Sequence, residues 1–348
     1  MNMKNKKKFS YLGVKWELIF SEHTESLVMP FYGDYYIINE DKEAISDFSV
    51  ELVEKTHDNI QKIFERGDDI LIHNSEKPLF HDKGVKLDIG NIRYVYNLIT
   101  KSVYEINYIF NEIKIYNCDV EMLARDGIRV SRDFIKVFVE NAGIHSMFHC
   151  SAVVGPKGDC IVFIGEKNKG KTTISLDLIY EHGYAELSRD RVYFGIENDR
   201  KLVAYGWPTY YNLTMKTLNF FDKTRGIVPD KYANFDAETL SRIRTKKQLI
   251  ADDIFITNKV KNAEVDYFVV LAKDDEEIDL KRIISKNSFS PYDTYTTEWH
   301  GMYLDRKKIL SNAKKITNVL MDFDNLVVLN VDKNIDITIE RLFDKIGK

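Results

Sequence analysis

Five apolar residues, Cys160-Ile161-Val162-Phe163-Ile164, run without a break into Gly165-Glu166-Lys167-Asn168-Lys169-Gly170-Lys171-Thr172. No other feature limits so closely what the chain can become. A short continuous apolar run bounded by glycine reads as a strand buried on both faces. Behind it, Ile174, Leu178 and Ile179 mark one face of a helix over 171–182, closed by Gly183. Strand, loop and helix in that order fit the P-loop expression G-x4-G-K-[ST].

Each position of that loop has a physical task. Gly165 and Gly170 allow backbone conformations that a Cβ would oppose, so successive N–H groups can turn inward on phosphate oxygens. The helix beginning near Lys171 directs its positive end at the same anion. Lys171 would neutralise charge on the β and γ phosphates, and the Thr172 hydroxyl would complete the coordination of a phosphate-bound Mg²⁺. The expected cofactors are therefore ATP or GTP with Mg²⁺, bound by residues Gly165, Glu166, Lys167, Asn168, Lys169, Gly170, Lys171, Thr172 and Thr173. The base has no local signature, so ATP and GTP are not separated. The side chains of Lys167 and Lys169 either contact phosphate or point to solvent.

The rest of the chain reads as α/β. Residues 9–40 are rich in aromatic and β-branched residues and predict strands, with a turn at Gly33-Asp34. Residues 42–66 predict a helix on the spacing of Ile45, Phe48, Leu52, Ile60, Ile63 and Phe64, stopped by Gly67. Further strands are expected at 69–73, 92–99, 103–109 and 112–117. A helix is expected from Ser131, read as its N-cap, to Asn141, with Gly143 after it. Residues 149–154 and 159–164 flank Gly155-Pro156-Lys157-Gly158 as a hairpin. A second hairpin is expected over 191–207, turning at Asn198-Asp199. Tyr267–Ala272 and Leu326–Asn330 are apolar runs expected to be buried on both faces, and a helix closes the chain near 337–346. The expected division is a smaller β-rich α+β domain over 1–130 and a P-loop domain over 131–348, with a mixed sheet and flanking helices.

Composition narrows the function. Of 348 residues, 44% are hydrophobic and 30% charged, the balance of an ordinary globular chain. A net charge of −4 creates no global attraction to nucleic acid. Three cysteines without C-x-x-C spacing fit a reducing cytoplasm better than a disulfide scaffold. No run approaches 18 apolar residues, so no membrane span is expected. The lysines at 4, 6, 7 and 8 read as a solvated tail rather than a leader. The sequence leaves homo-oligomerisation open.

The flanks of the loop resemble a known family. Phe148-His149-Cys150-Ser151-Ala152-Val153-Val154, a glycine-containing turn, then strand and P-loop are similar to the catalytic domain of HPr kinase/phosphorylase and its relatives. Beyond the helix, Gly183-Tyr184-Ala185-Glu186-Leu187-Ser188-Arg189-Asp190-Arg191-Val192 matches that family's glycine and short strand ending in acidic residues. The resemblance covers about 148–215, extends more faintly from 130 to the C-terminus, and leaves 1–120 outside. It implies an HPr-kinase-like fold related to phosphoenolpyruvate carboxykinase and a cytoplasmic ATP-dependent kinase. The acceptor it implies is a Ser or Thr hydroxyl of a protein or peptide.

It also implies roles. Asp190 would be the catalytic carboxylate near the γ phosphate and, with Thr172, a metal ligand, and a Mg²⁺-nucleotide site needs such a group. His149 maps onto the family's histidine, although a lone His on an apolar strand is as readily a satisfied core residue. The family has two adjacent aspartates where this chain has Arg189-Asp190. Arg189 is then read as a cation neutralising the transferring phosphate, as an arginine finger does. No arginine-rich segment matches the phosphorolysis signature, so the reverse reaction is not expected. Gly206-Trp207-Pro208-Thr209 reads as a turn near the site, Ser241–Lys247 as a basic face, and Asn287–His300 as a polar, aromatic covering loop. The competing expectations are a nucleotide sensor or scaffold with little turnover, and a small-molecule kinase.

Overall fold

The computed structural model describes residues 4–33, 36–38, 45–73, 82–197, 201–243, 245–273, 277–288, 299–300, 303 and 305–348. Asp34 of the first expected turn, the turn at Asn198-Asp199, Arg244, and most of the expected loop over 287–300 lie outside them. The chain forms two compact units, residues 1–147 with 288–316, and residues 148–287 with 317–348. Both are α/β with a mixed sheet.

In the first unit, β1 (Asn5–Tyr11) and β2 (Val14–Phe20) make a hairpin. Then come α1 (Glu22–Tyr32), β3 (Ile37–Ile38), β4 (Phe48–Val53), α2 (Ile60–Arg66), β5 (Asp68–His73), β6 (Asp82–Ile89), β7 (Ile92–Asn97), β8 (Val103–Asn107), β9 (Glu112–Tyr116) and α3 (Val120–Ala142). Nine strands form one sheet in the order β3-β1-β2-β4-β9-β8-β7-β6-β5. The pairs β2–β4 and β4–β9 are parallel and the other pairs antiparallel.

Three expectations are corrected here. Residues 22–32 are helix, not strand, because Ser21 and Thr24 close a reciprocal capping box ahead of the aromatic run. Residues 48–53 are a strand, not helix. Phe48, Val50 and Leu52 alternate buried against half-buried neighbours, and the segment is paired on both sides in mid-sheet. The helix expected to start at Ser131 starts at Val120, where the Asp119 carboxylate accepts the Glu121 and Met122 amides, and Ser131 is buried in its middle. That single helix runs through residues 130 and 131, so the units divide after Met147 instead, and each holds about half the chain.

The stripe on α3 buries Leu123, Phe134 and Ile135 and packs against β2, β4 and β9. Phe9, Trp16, Tyr32, Tyr36, Phe48 and Phe134 form an aromatic core there, the Phe9 and Trp16 rings stacked at 5.5 Å. Trp299, from the returning segment 288–316, joins it: its ring packs on Tyr104 and Phe134, and its indole N–H donates to the Ile72 carbonyl at 3.0 Å. On the other face α2 covers Val85, Tyr94 and Val103.

The chain passes between units within β10 (His145–Phe148). The second unit contains β11 (Cys150–Val154), β12 (Cys160–Ile164), α4 (Lys171–Glu181), β13 (Ala185–Ser188), β14 (Val192–Ile196), β15 (Leu202–Gly206), β16 (Tyr211–Thr214), α5 (Met215–Phe220), α6 (Asp222–Arg225), α7 (Ala237–Arg242), β17 (Lys246–Leu249), β18 (Asn262–Ala272) and α8 (Leu280–Lys286). After α9 (Arg306–Met321), which straddles the division, β19 (Leu326–Asn330) and α10 (Ile335–Ile346) complete it. The main sheet runs β14-β15-β18-β12-β11-β13, with β19 also on β18. β12, β18 and β19 are parallel and β11 is antiparallel to both its neighbours. Both expected hairpins, 150–164 and 192–206, form. β19 sits at an edge and is only half-buried, unlike the fully buried run expected.

α4 and α10 cover one face of this sheet, with Ile174, Leu178, Ile339 and Leu342 packed on Val153, Phe163, Val269 and Leu329. The opposite side of α4 enters a second core, where Leu176 meets Tyr211, Leu213 and Leu218. A helix packed on two sides is held in place from its first turn, which is where the loop ends.

Candidate functional site

Sheet register builds the site. Cys150 faces Ile164 across β11–β12, so His149, one residue earlier, stands beside Gly165 where the loop begins. Ala152 faces Ser188 across β11–β13, so the chain leaving β13 at Arg189 and Asp190 emerges at the same end. The carboxyl ends of β18 and β19 lie there too, because both run parallel to β12. In open α/β sheets the carboxyl ends of parallel strands form the ligand crevice.

The two loop glycines serve different ends. Gly170 has φ +91°, a left-handed conformation that a side chain would oppose, and it is the N-cap of α4. Gly165 is needed for space: a Cβ there would lie 3.1 Å from both the Leu271 Cβ and the Leu271 carbonyl oxygen of β18. Asn168 supplies another positive φ, +67°, so the turn does not depend on glycine alone.

Lys171 is buried, and its ammonium donates to the Gly165 carbonyl at 2.6 Å and the Glu166 carbonyl at 3.2 Å. Burial holds it below the ordinary lysine range, with Asp190 acting in the opposite direction. Thr172 and Ser175 face a small cavity between α4 and β13, shared with Glu186, Ser188, Arg189 and Tyr211. Glu166 lies near two cations of α8, Lys286 at 3.6 Å and Arg282 at 4.0 Å.

His149 and Asp190 meet, Nδ1 to Oδ1 at 3.3 Å. The His149 amide donates to the Asn287 carbonyl at 2.6 Å, which ties it to the end of α8. Burial pushes the His149 pKa down to about 4, helped by Lys171, Arg191 and Lys246 and opposed by Asp190. A neutral imidazole beside a carboxylate places its proton on Nδ1, donating to Asp190. Asp190 itself has φ +63° and a half-exposed side chain.

Arg189 differs from expectation. It is buried, not aimed at solvent or loop: Nη2 donates to the Thr209 carbonyl at 2.8 Å, Nε lies 3.6 Å from Glu186, and the guanidinium rests on the Tyr211 ring. Trp207 is a packing residue, buried edge-on to Tyr193, and its amide donates to Ser188 Oγ at 3.0 Å. The expected basic face divides between the end of α7, where Arg242 pairs with Glu238 at the surface, and β17, where Lys247 donates to the Ile227 carbonyl. Glu186 and Ser188 belong to the run that carries the resemblance, but no local signal in the sequence gives them, Tyr211 or α8 a place at the site. Only register and tertiary packing bring them to the loop.

The residues fit a nucleotide and its metal. The cradle a Cβ would fill at Gly165, the left-handed Gly170 and the helix beginning at Lys171 suit phosphate. Among the described residues no group of three or more His, Cys, Asp or Glu could hold a metal ion. Mg²⁺ held by one carboxylate, one hydroxyl, phosphate oxygens and water needs none. No helix, among the described residues, is long and apolar enough to cross a membrane.

No family model and no curated protein matches the sequence. Among solved structures, the Hpr(Ser) kinase/phosphatase from Coxiella burnetii is similar at 20% identity, over 38% of this chain and 62% of that one, with a TM-score of 0.25. The chain thus spans about three-fifths of that structure's length. Similarity at this level leaves the strand order and the site geometry to carry the reading.

Proposed function

We propose that this chain is a P-loop phosphotransferase. It would bind ATP or GTP at Gly165–Thr173 and transfer the γ phosphate to a hydroxyl, with a Ser or Thr of a protein or peptide as acceptor. One observation carries this reading: the loop, the buried Lys171 ammonium and the His149–Asp190 pair converge at the carboxyl end of β12. Thr172 and Asp190 would hold Mg²⁺, which when bound offsets charge on the phosphate oxygens. Lys171 is placed to exchange the loop carbonyls for β and γ phosphate oxygens. The backbone of 165–170 orients the phosphates, and Asp190 receives the acceptor's proton. His149, neutral at physiological pH, keeps the Asp190 carboxylate turned to the loop. The choice of a peptide hydroxyl follows from the family resemblance alone, and a small-molecule acceptor would use the same groups.

The position of Arg189 favours a second reading. A buried arginine stands where the resembling family has an aspartate, so Asp190 is the carboxylate left for proton transfer. A nucleotide sensor or scaffold with little turnover would need no more. Transfer of label from γ-³²P-ATP, with and without cell lysate, against a Lys171→Ala control, separates the two. Label on a defined acceptor supports the kinase, binding without label supports the sensor, and no nucleotide binding at all overturns both.

A further inference from the structure

Arg189 is a permanent charge held inside the fold that the proposed chemistry does not use. Its neighbours hold it in part: Nη2 donates to Thr209, the ring of Tyr211 lies against the guanidinium, and Glu186, which also accepts from the Tyr211 hydroxyl, lies 3.6 Å from Nε. Nε and Nη1 are buried without a hydrogen-bond partner among the described residues. Moving Arg189 out toward phosphate would leave the buried Glu186 carboxylate with the Tyr211 hydroxyl but without this countercharge, which is unfavourable. The group is built to stay.

The consequence lies one residue on. The Arg191 amide donates to the Arg189 carbonyl at 2.7 Å, with Asp190 between them at φ +63°. A three-residue turn with a positive central φ is rare and strained. Such conformations persist only where the surroundings over-determine them. Downstream, Ser188 Oγ donates to the Arg191 carbonyl at 2.6 Å and accepts from Trp207. Upstream, the Glu186 amide donates to the Asn258 carbonyl and the Val260 amide to the Glu186 carbonyl. Within the turn, Asp190 meets His149 at 3.3 Å, and the Arg189 side chain is bonded to the Thr209 carbonyl inside the fold.

We propose that Arg189 is a positioning residue whose buried side chain holds the strained turn over 189–191 and so aims the Asp190 carboxylate at the mouth of the P-loop. Its functional half rests on the nucleotide reading above; its structural half does not.

Because Arg189→Met alone would leave Glu186 without this countercharge, the test uses the double variant Glu186→Gln/Arg189→Met, which removes both charges together. The main readout is amide hydrogen exchange at Arg191, compared with the amides of β12. At least tenfold loss of protection at Arg191 with β12 unchanged is expected. Unchanged protection at Arg191, or an equal loss across β12, would overturn the proposal. Wild-type protein gives a second measurement that depends on no variant: slowly exchanging, resolved guanidinium resonances for Arg189 are expected, and a freely rotating guanidinium argues against the anchor. Mg·ATP affinity then reports the functional half. The double variant should bind as weakly as Asp190→Asn, and adding Asp190→Asn to it should change nothing further. Additive losses would mean that Arg189 does not act through Asp190. If wild-type protein binds no Mg·ATP, the nucleotide reading fails while the exchange result still decides the turn.

Discussion

His149 and Asp190 stand side by side, Nδ1 3.3 Å from Oδ1, although 40 residues and three strands of chain lie between them. Asp190 is the group that holds the His149 pKa up against burial and three nearby cations. Asp190→Asn in metal-free protein should therefore lower it further, below about 4. Ring-carbon NMR shifts across pH 3–7 measure this, and an upward move would show that the pair is not formed.

Lys171 should dominate nucleotide affinity. Hydrogen bonds to charged groups contribute about 1.5–3 kcal/mol, so Lys171→Met should weaken ATP binding roughly 10- to 150-fold. Calorimetric titration checks it. A change of less than about threefold would place the phosphates elsewhere.

The two glycines should fail differently. Gly170→Ala puts a Cβ on a backbone at φ +91° and should cost about 1–2 kcal/mol of stability. Gly165→Ala pushes a methyl against the β18 backbone at 3.1 Å, and overpacking of that kind costs roughly 1–3 kcal/mol. Both should also lose nucleotide binding. Urea unfolding and ATP titration of each variant give the two numbers.

Asp190→Gly should trade function for stability. Glycine relieves the strain at φ +63°, of order 1 kcal/mol, so the midpoint of thermal unfolding should hold or rise while γ-phosphate transfer disappears. A fall in Tm of several degrees would mean that the turn is not strained.

Stability should also depend on pH through His300, in the unit without the loop. Its pKa is lowered to about 4, first by burial, with Lys136 adding and Asp133 opposing. Between about 4 and 6.5 the unfolded chain binds the extra proton, so stability rises with pH across that window and is lost as pH falls. The slope from one such group is at most about 1.4 kcal/mol per pH unit. Urea unfolding at pH 4.5, 5.5 and 6.5 should show a steeper rise for wild type than for His300→Gln.

The loop was legible in sequence because its physics is local: an apolar strand, glycines at fixed spacing and a helix start lie within the 12 residues from Cys160 to Lys171. The hairpins around it were legible for the same reason. The first unit was harder. Phe31 and Tyr32 have strand-forming side chains, yet the Ser21–Thr24 cap decides for helix. Phe48 and Leu52 fit a helical spacing and an alternating one equally, and only pairing with β2 and β9 separates the two. Arg189 could not be placed from sequence, since its partners Thr209 and Tyr211 reach it from beyond another hairpin.

The return of residues 288–316 into the first unit sets an order of events during synthesis. Trp299 fills the core of that unit and ties to Ile72, so this core is completed only after the ribosome has made about 150 residues beyond residue 147. At bacterial or eukaryotic elongation rates that is roughly 10–30 s of delay. The P-loop unit is threaded through that interval, and its strands must emerge while the earlier sheet still lacks its last aromatic plug. A fragment cut at residue 147 would keep that gap open permanently.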